Sequence, residues 1–552
     1  MRPLLALLVA ATAPHLALAQ GPPPPPPPLQ PLAPPVAPPQ NPVTAAKTDL
    51  GRALFWDEQL SSTASVSCGT CHFASRGGSD PRSSVGVLAT THPGLDGVLG
   101  TPDDVVGSRG VPRSLASGDY DPSDFGLAPQ VTSRKAPSTL TAAYAPRLFW
   151  DGRANGAFVD PVSGQTLVPV GAALENQVLA PPLSDVEMGH VGVDWNDVAA
   201  RIAGAQPLAL SPQVPTGLAN WIAGRSYPEL FAEAFGSSDV TPARIAFAIA
   251  TYERSLAPTQ TPLDTFLATG QGLTPLEVQG FQLFGQLNCA GCHAGNRFTD
   301  EAFHYTGVRP VQEDLGRFLV TGAQADRGRF RTPSLRNVRD RGPYMHDGSF
   351  ATLEEVVDFY DRGGDFDAPN KSPAMQPLGL TPQQKNALVA FLRRPLTDPR
   401  AANETGPFER PRLATEGGAA PLLVGLPTPG SGGFAPRMVA VEPALVGGAP
   451  VTLAVDRALG GAIAFLAVDL VAAPGGVDVA GATSFLGLSP ALFVLPRILD
   501  GSGAGGGFAS QHFALVEPAL AGIVAHAQWF VLDPGSAGGL LSASAAARFQ
   551  IL

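Results

Sequence analysis

The four cysteines of the chain stand as two pairs, Cys68/Cys71 and Cys289/Cys292, each followed at once by a histidine, His72 or His293. Two thiols at this spacing can add to the two vinyl groups of one haem, while the next residue offers an imidazole to the iron. The competing uses of such pairs are disulfides or a zinc site. Two complete Cys-x-x-Cys-His motifs that consume every cysteine favour two covalently bound haem c groups, with His72 and His293 as proximal ligands.

A further iron ligand can be sought downstream. Thr352 and Glu355 have the spacing of a capping box, so a helix should begin at Leu353 and end at Gly363-Gly364. Within it Leu353, Val356, Val357 and Tyr360 recur at helical spacing, which puts the tyrosine on the buried face. Tyr360 is then either a core tyrosine or a ligand, and the thioether of Met345 competes for the same iron.

These residues need elements to hold them. At 552 residues the chain has room for about three or four domains. Arg2, the apolar run Leu4 to Ala13 and Ala17-Leu18-Ala19 read as a cleaved signal peptide (1–19), implying export to the periplasm or beyond. That run is too short to cross a bilayer and no later segment is long and uncharged enough, so no transmembrane segment is expected. A Pro-rich linker (20–43) should act as an extended spacer. Amphipathic windows at Asp194 to Ile202, Tyr227 to Phe235, Thr241 to Ser255 and Gln282 to Asn288 predict short helices among Gly/Pro-rich loops. The expected fold is mainly α, with an N-terminal cytochrome c-like haem domain (44–225) and a C-terminal one (226–400). A linker (401–435) and an antiparallel β-sandwich domain (436–552) should follow. The sandwich is read from short apolar runs such as Val451 to Val455, Ala462 to Val468 and Gln528 to Leu532, separated by Gly/Pro turns. A net charge of −11 disfavours nucleic acid as a partner and suits a basic redox carrier.

Around the haem motifs stand Leu50-Gly51-Arg52-Ala53-Leu54-Phe55-Trp56-Asp57, Phe149-Trp150-Asp151-Gly152-Arg153 and Val186-Glu187-Met188-Gly189. Arg331-Thr332-Pro333-Ser334-Leu335-Arg336-Asn337-Val338 and Pro343-Tyr344-Met345-His346-Asp347-Gly348 follow in turn. From about residue 45 to 400 this ordered set resembles the bacterial di-haem cytochrome c peroxidases and their relative MauG.

The resemblance implies that the N-terminal haem meets hydrogen peroxide and that the C-terminal haem supplies electrons from a small carrier such as a cytochrome c. It implies Trp150 as the residue between the haems, Glu187 as a distal acid that moves protons, and Gln177, ten positions earlier, as a distal glutamine. The family's C-terminal axial ligand is methionine in the classical peroxidases and tyrosine in MauG, so Tyr360 points to the MauG side. Classical members cap the first haem with a histidine where Val87 stands here; His92, in an inserted loop, is a candidate substitute. A calcium between the haem domains normally uses an asparagine at the place of Lys135, whose ammonium only donates. The inserted loop from Gly94 to Asp104 is either a calcium site of its own or a solvated acidic turn. Three functions follow: a peroxidase, a MauG-like oxidase of a protein side chain or organic substrate, and a non-catalytic electron-transfer cytochrome.

Overall fold

The computed structural model describes residues 29–83 and 88–552. The signal-peptide expectation, the proline tract Pro22 to Pro28 and Val87 lie outside them.

Two haem-binding units are built on one plan. In the first, the helix Ala45–Trp56, capped by Thr44, crosses the helix Pro242–Ser255. In the second, Pro275–Gln286, capped by Thr274 and Glu277, crosses Pro382–Arg393. Each crossing is made over a glycine: a Cβ at Gly51 would overlap the Ala248 carbonyl, and one at Gly280 the Ala387 carbonyl. That close approach lets the helix leading into each Cys-x-x-Cys-His motif back directly onto the helix that closes its unit.

Packing moves the expected border between the units. Helices Tyr227–Phe235 and Pro242–Ser255, which the sequence pattern groups with the second unit, bury Tyr227, Leu230, Phe231, Ile245 and Ile249 in the first core. The second core begins at Leu263 and runs to Leu396. An amphipathic period shows that a helix is buried on one side but not against which neighbour.

Two stretches expected as linkers are docked instead. Leu32 N–H donates to Asp264 Oδ1 at 3.0 Å, and Ala33 O accepts from Tyr144 at 2.6 Å. Ala401, Phe408 and Leu413 are buried in the first core, Ala414 N–H donates to Glu58 at 2.7 Å, and Arg410 lies over the Trp56 and Phe73 rings. Proline and glycine mark the absence of helix and sheet, not the absence of packing.

Beyond residue 436, strands Arg437–Val439, Val451–Gly460 and Gly503–Phe513 form one antiparallel sheet. Ile463–Asp469, Phe493–Ile498, Val524–Leu532, Leu541–Ala543 and Ala546–Gln550 form another, joined at its edge by Leu422–Val424 from the stretch expected as a linker. Leu453 and Val455 from the first sheet meet Leu466, Trp529 and Val531 from the second in one core. With 28% of residues helical and 21% in strands, "mainly α" is too narrow a class: helices dominate the haem units alone, and the C-terminal region is strand-rich. Among the described residues no helix is long and apolar enough to cross a membrane.

Candidate functional site

Each Cys-x-x-Cys-His motif opens onto its own cavity. Cys68, Cys71 and His72 line one of about 440 Å³, and Cys289, Cys292 and His293 line a second of about 220 Å³. All four cysteines are free and half-buried. His72 Nδ1 donates to Gly78 O and His293 Nδ1 to Phe298 O, each at 3.0 Å. Both bonds leave the Nε2 lone pair for a metal. Burial works to the same end by disfavouring the imidazolium: the His72 pKa is lowered, and His293 is brought down to about 4. Paired thiols beside a neutral, oriented imidazole in an apolar-walled cavity fit covalently attached haem at both places.

Trp150 and Lys135 line both cavities, so the wall between them is built from these residues. Trp150 sits in a tight loop in which Phe149 and Gly152 take positive φ (64° and 70°) and Leu148 pairs with Ala154. Its Nε1–H donates to Lys135 O at 2.8 Å and its carbonyl accepts from Arg331 N–H at 2.8 Å. Arg317, from the second unit, donates to the Asp151 and Gly152 carbonyls. The loop that carries the indole is therefore held by both units.

Glu187, Gln177 and Arg153 line the first cavity together. Glu187 projects from a turn over Ser184, whose carbonyl accepts its N–H at 3.1 Å. The strand Arg109–Pro112 supports this turn so closely that a Cβ at Gly110 would overlap the Val186 carbonyl. Loss of bulk water raises the Glu187 carboxyl above its usual range, and the Arg153 guanidinium partly opposes the rise.

The helix Leu353–Asp361 has the expected capping box between Thr352 and Glu355. Leu353, Val356, Val357 and Tyr360 all face the second cavity. Met345 lines it as well, so geometry brings both candidate ligands to the same chamber. Burial, with the neighbouring cysteines, pushes the Tyr360 phenol well above its usual range.

Lys135 is buried, and its amine donates to Arg341 O across the two units. Burial lowers it to about 7, with the Arg341 charge adding to the effect. An amine that itself takes the carbonyl does not fit a calcium site at this point. In the inserted loop, the Asp103 carboxylate accepts from Leu95 and Asp96 N–H, and Asp104 accepts from Gly100 N–H. Asp96 likewise accepts from Val98 N–H, so each of the three acids takes backbone donors of its own loop, while Asp104 Oδ1 is buried without a partner among the described residues.

Three residues with chemical potential escaped the sequence pattern. Glu253 is buried in the first cavity wall, raised to about 8 by burial, and its Oε2 has no partner. Its signal was a carboxylate one turn beyond Ile249, at helical spacing from the buried Ile245 and Ile249. Met375 is a buried thioether lining the second cavity. His346 stacks on Phe330 with ring centres 3.8 Å apart and lies edge-on to Trp150 at 6.3 Å. Nothing in the spacing of these last two marks them out.

Comparison with known proteins agrees with this geometry. The family model for di-haem cytochrome c peroxidase matches residues 45–272, and the cytochrome c model matches 278–394. The methylamine utilization protein MauG of Methylorubrum extorquens is 32% identical over 369 residues, covering 66% of this chain and 82% of that protein. Cytochrome-c peroxidase IdrP1 of Denitromonas iodatirespirans is 29% identical over 426 residues, covering 70% of this chain and 91% of its own. The cytochrome c551 peroxidase of Nitrosomonas europaea is 27% identical over 328 residues, covering 58% of this chain and 75% of that protein. Both family models stop before the C-terminal sheets. The chain belongs to the di-haem cytochrome c peroxidase family, oxidoreductases that act on peroxide, and carries two covalently bound c-type haems.

Proposed function

We propose that peroxide is reduced in the first cavity, on the His72 side, with electrons arriving through the second unit from a small redox carrier such as a cytochrome c. The observation that carries this reading is the convergence of Glu187, Gln177 and Arg153 on the cavity that holds Cys68, Cys71 and His72. When bound, the haems supply irons that accept and pass on single electrons.

The chain's own residues do the rest. Reduction of peroxide to two waters consumes two electrons and two protons. Glu187 would take a proton from one peroxide oxygen and return it to the oxygen that leaves, and its raised pKa suits both halves of that transfer. Gln177 hydrogen-bonds the bound peroxide, and Arg153 offers positive charge to the oxygen that leaves. Trp150, part of both cavity walls, carries electron density between the units. Its clamps keep the indole at one position as the charge on either side changes.

Tyr360 in the second cavity favours the MauG-like variant, in which the reductant is a protein side chain or an organic molecule. A phenolate stabilises oxidised iron, whereas a Met345 thioether raises the potential. Export to the periplasm is proposed on the N-terminal pattern. The test is steady-state peroxide consumption by the holoprotein with reduced cytochrome c or a dye donor. Glu187→Gln should retain both haems and lose about 10²-fold or more in turnover. Full activity in that variant would remove the proton role.

A further inference from the structure

His92 also lines the first cavity and, with His72, makes up its histidines among the described residues. It is carried by the two-residue strand Thr91–His92, paired antiparallel with Val105–Val106 at the mouth of the inserted loop. The base of that loop is anchored: Val106 N–H donates to Asp347 O at 2.9 Å, and Asp103 and Asp104 accept from the loop's own backbone amides. His92 is therefore presented to the cavity by a defined support.

Its hydrogen bonding differs from that of the two proximal histidines. Gly94 N–H donates to His92 Nδ1 at 3.2 Å. A backbone amide can only donate, so Nδ1 is the unprotonated nitrogen and the ring hydrogen sits on Nε2. In His72 and His293 the arrangement is reversed: Nδ1–H donates to a carbonyl and Nε2 keeps its lone pair. To bind iron through Nε2, His92 would have to move its hydrogen to Nδ1, where it would face the Gly94 N–H.

We infer that His92 is a distal hydrogen-bond donor of the first cavity, offering Nε2–H to an anionic or peroxidic ligand, and is not an iron ligand. The inference rests on the first cavity being where peroxide binds. Together with Glu187 it gives that cavity one group that exchanges protons and one that only donates a hydrogen bond.

The test uses the ferric holoprotein and fluoride, a small anion whose retention on iron reads a nearby donor. His92→Leu should bind fluoride about tenfold more weakly than the parent, the size of one hydrogen bond to an anion. His92→Gln, which keeps an N–H donor, should stay close to the parent, and haem content should be unchanged in both. Equal fluoride affinity in all three proteins would overturn the inference. So would a low-spin first haem in the parent that turns high-spin in His92→Leu, because that would make His92 a ligand. Peroxide consumption by the parent is measured separately: its absence would remove the peroxide reading and leave the fluoride comparison standing.

Discussion

At the scale of single residues, the chemistry divides into what spacing dictates and what only a folded environment reveals. Cys68, Cys71 and His72, and their counterparts Cys289, Cys292 and His293, were legible because haem attachment imposes a local spacing. That Glu187, Gln177 and Trp150 share a cavity wall was anticipated only through the family resemblance, since a lone glutamate or tryptophan carries no such mark. Met375 was not legible, and Glu253 showed only as a carboxylate one turn beyond Ile249, because burial and the unmet hydrogen bond of Glu253 are properties of the fold. The ligand question in the second cavity belongs here as well. Tyr360→Phe should change the second haem's absorption and spin state, while Met345→Leu should leave both as they were. The reverse pattern would assign the thioether.

Among the elements, the decisive fact is how segments without regular structure are tied down. Glu58 shows the energetics. It is buried beside the helix Ala45–Trp56 and accepts the Ala414 N–H, holding the stretch 413–416 on the first unit. Burial raises its carboxyl from 4.5 to about 8, with the Asp57 and Glu416 charges adding to the rise and the Ala414 hydrogen bond opposing it. Between those two values the folded chain holds a proton that the unfolded chain has released, so stability falls as pH climbs from about 4.5 to 8. Glu58→Gln keeps an acceptor for Ala414 and removes the titration. Its melting temperature should therefore exceed that of the parent by ~2–4 °C at pH 8, the effect of about 1 kcal/mol in a domain of this size, with the advantage vanishing near pH 4. Calorimetry at the two pH values checks it, and parallel curves would contradict it. No sequence period predicts this contact, because its partners lie 356 residues apart.

Across the whole molecule, a loop of the first haem unit reaches into the C-terminal sheets, and Leu445 and Leu552 pack separately against Ala64 and Leu210. Arg113 pairs with Asp185, two residues from Glu187, and with Asp121. The next residues enter the C-terminal region: Tyr120 donates to Glu442 at 2.8 Å, Asp119 pairs with His512 at 2.8 Å, and Leu127 N–H donates to Asp456 at 3.0 Å. Tyr120 and Leu127 bury against Val439 and Ala454. Burial raises Glu442 to about 7, and the Tyr120 hydrogen bond opposes that rise. Tyr120→Phe should cost ~1–3 kcal/mol, the penalty for leaving a buried acceptor short of a donor, read as a lower denaturation midpoint. A change within error would mean that water replaces the phenol. The strand-rich character of this region was legible in its apolar runs and turns; its attachment to the loop beside Glu187 was not.

The central claim, that peroxide is cleaved in the first cavity and that Trp150 links it to the second, is tested most directly by rapid mixing of the fully ferric holoprotein with one equivalent of peroxide. The absorption of the first haem should change at once without prior reduction. In Trp150→Phe that first change should persist while the second haem's response is slowed. No spectral change in either the ferric or the half-reduced protein would contradict the account.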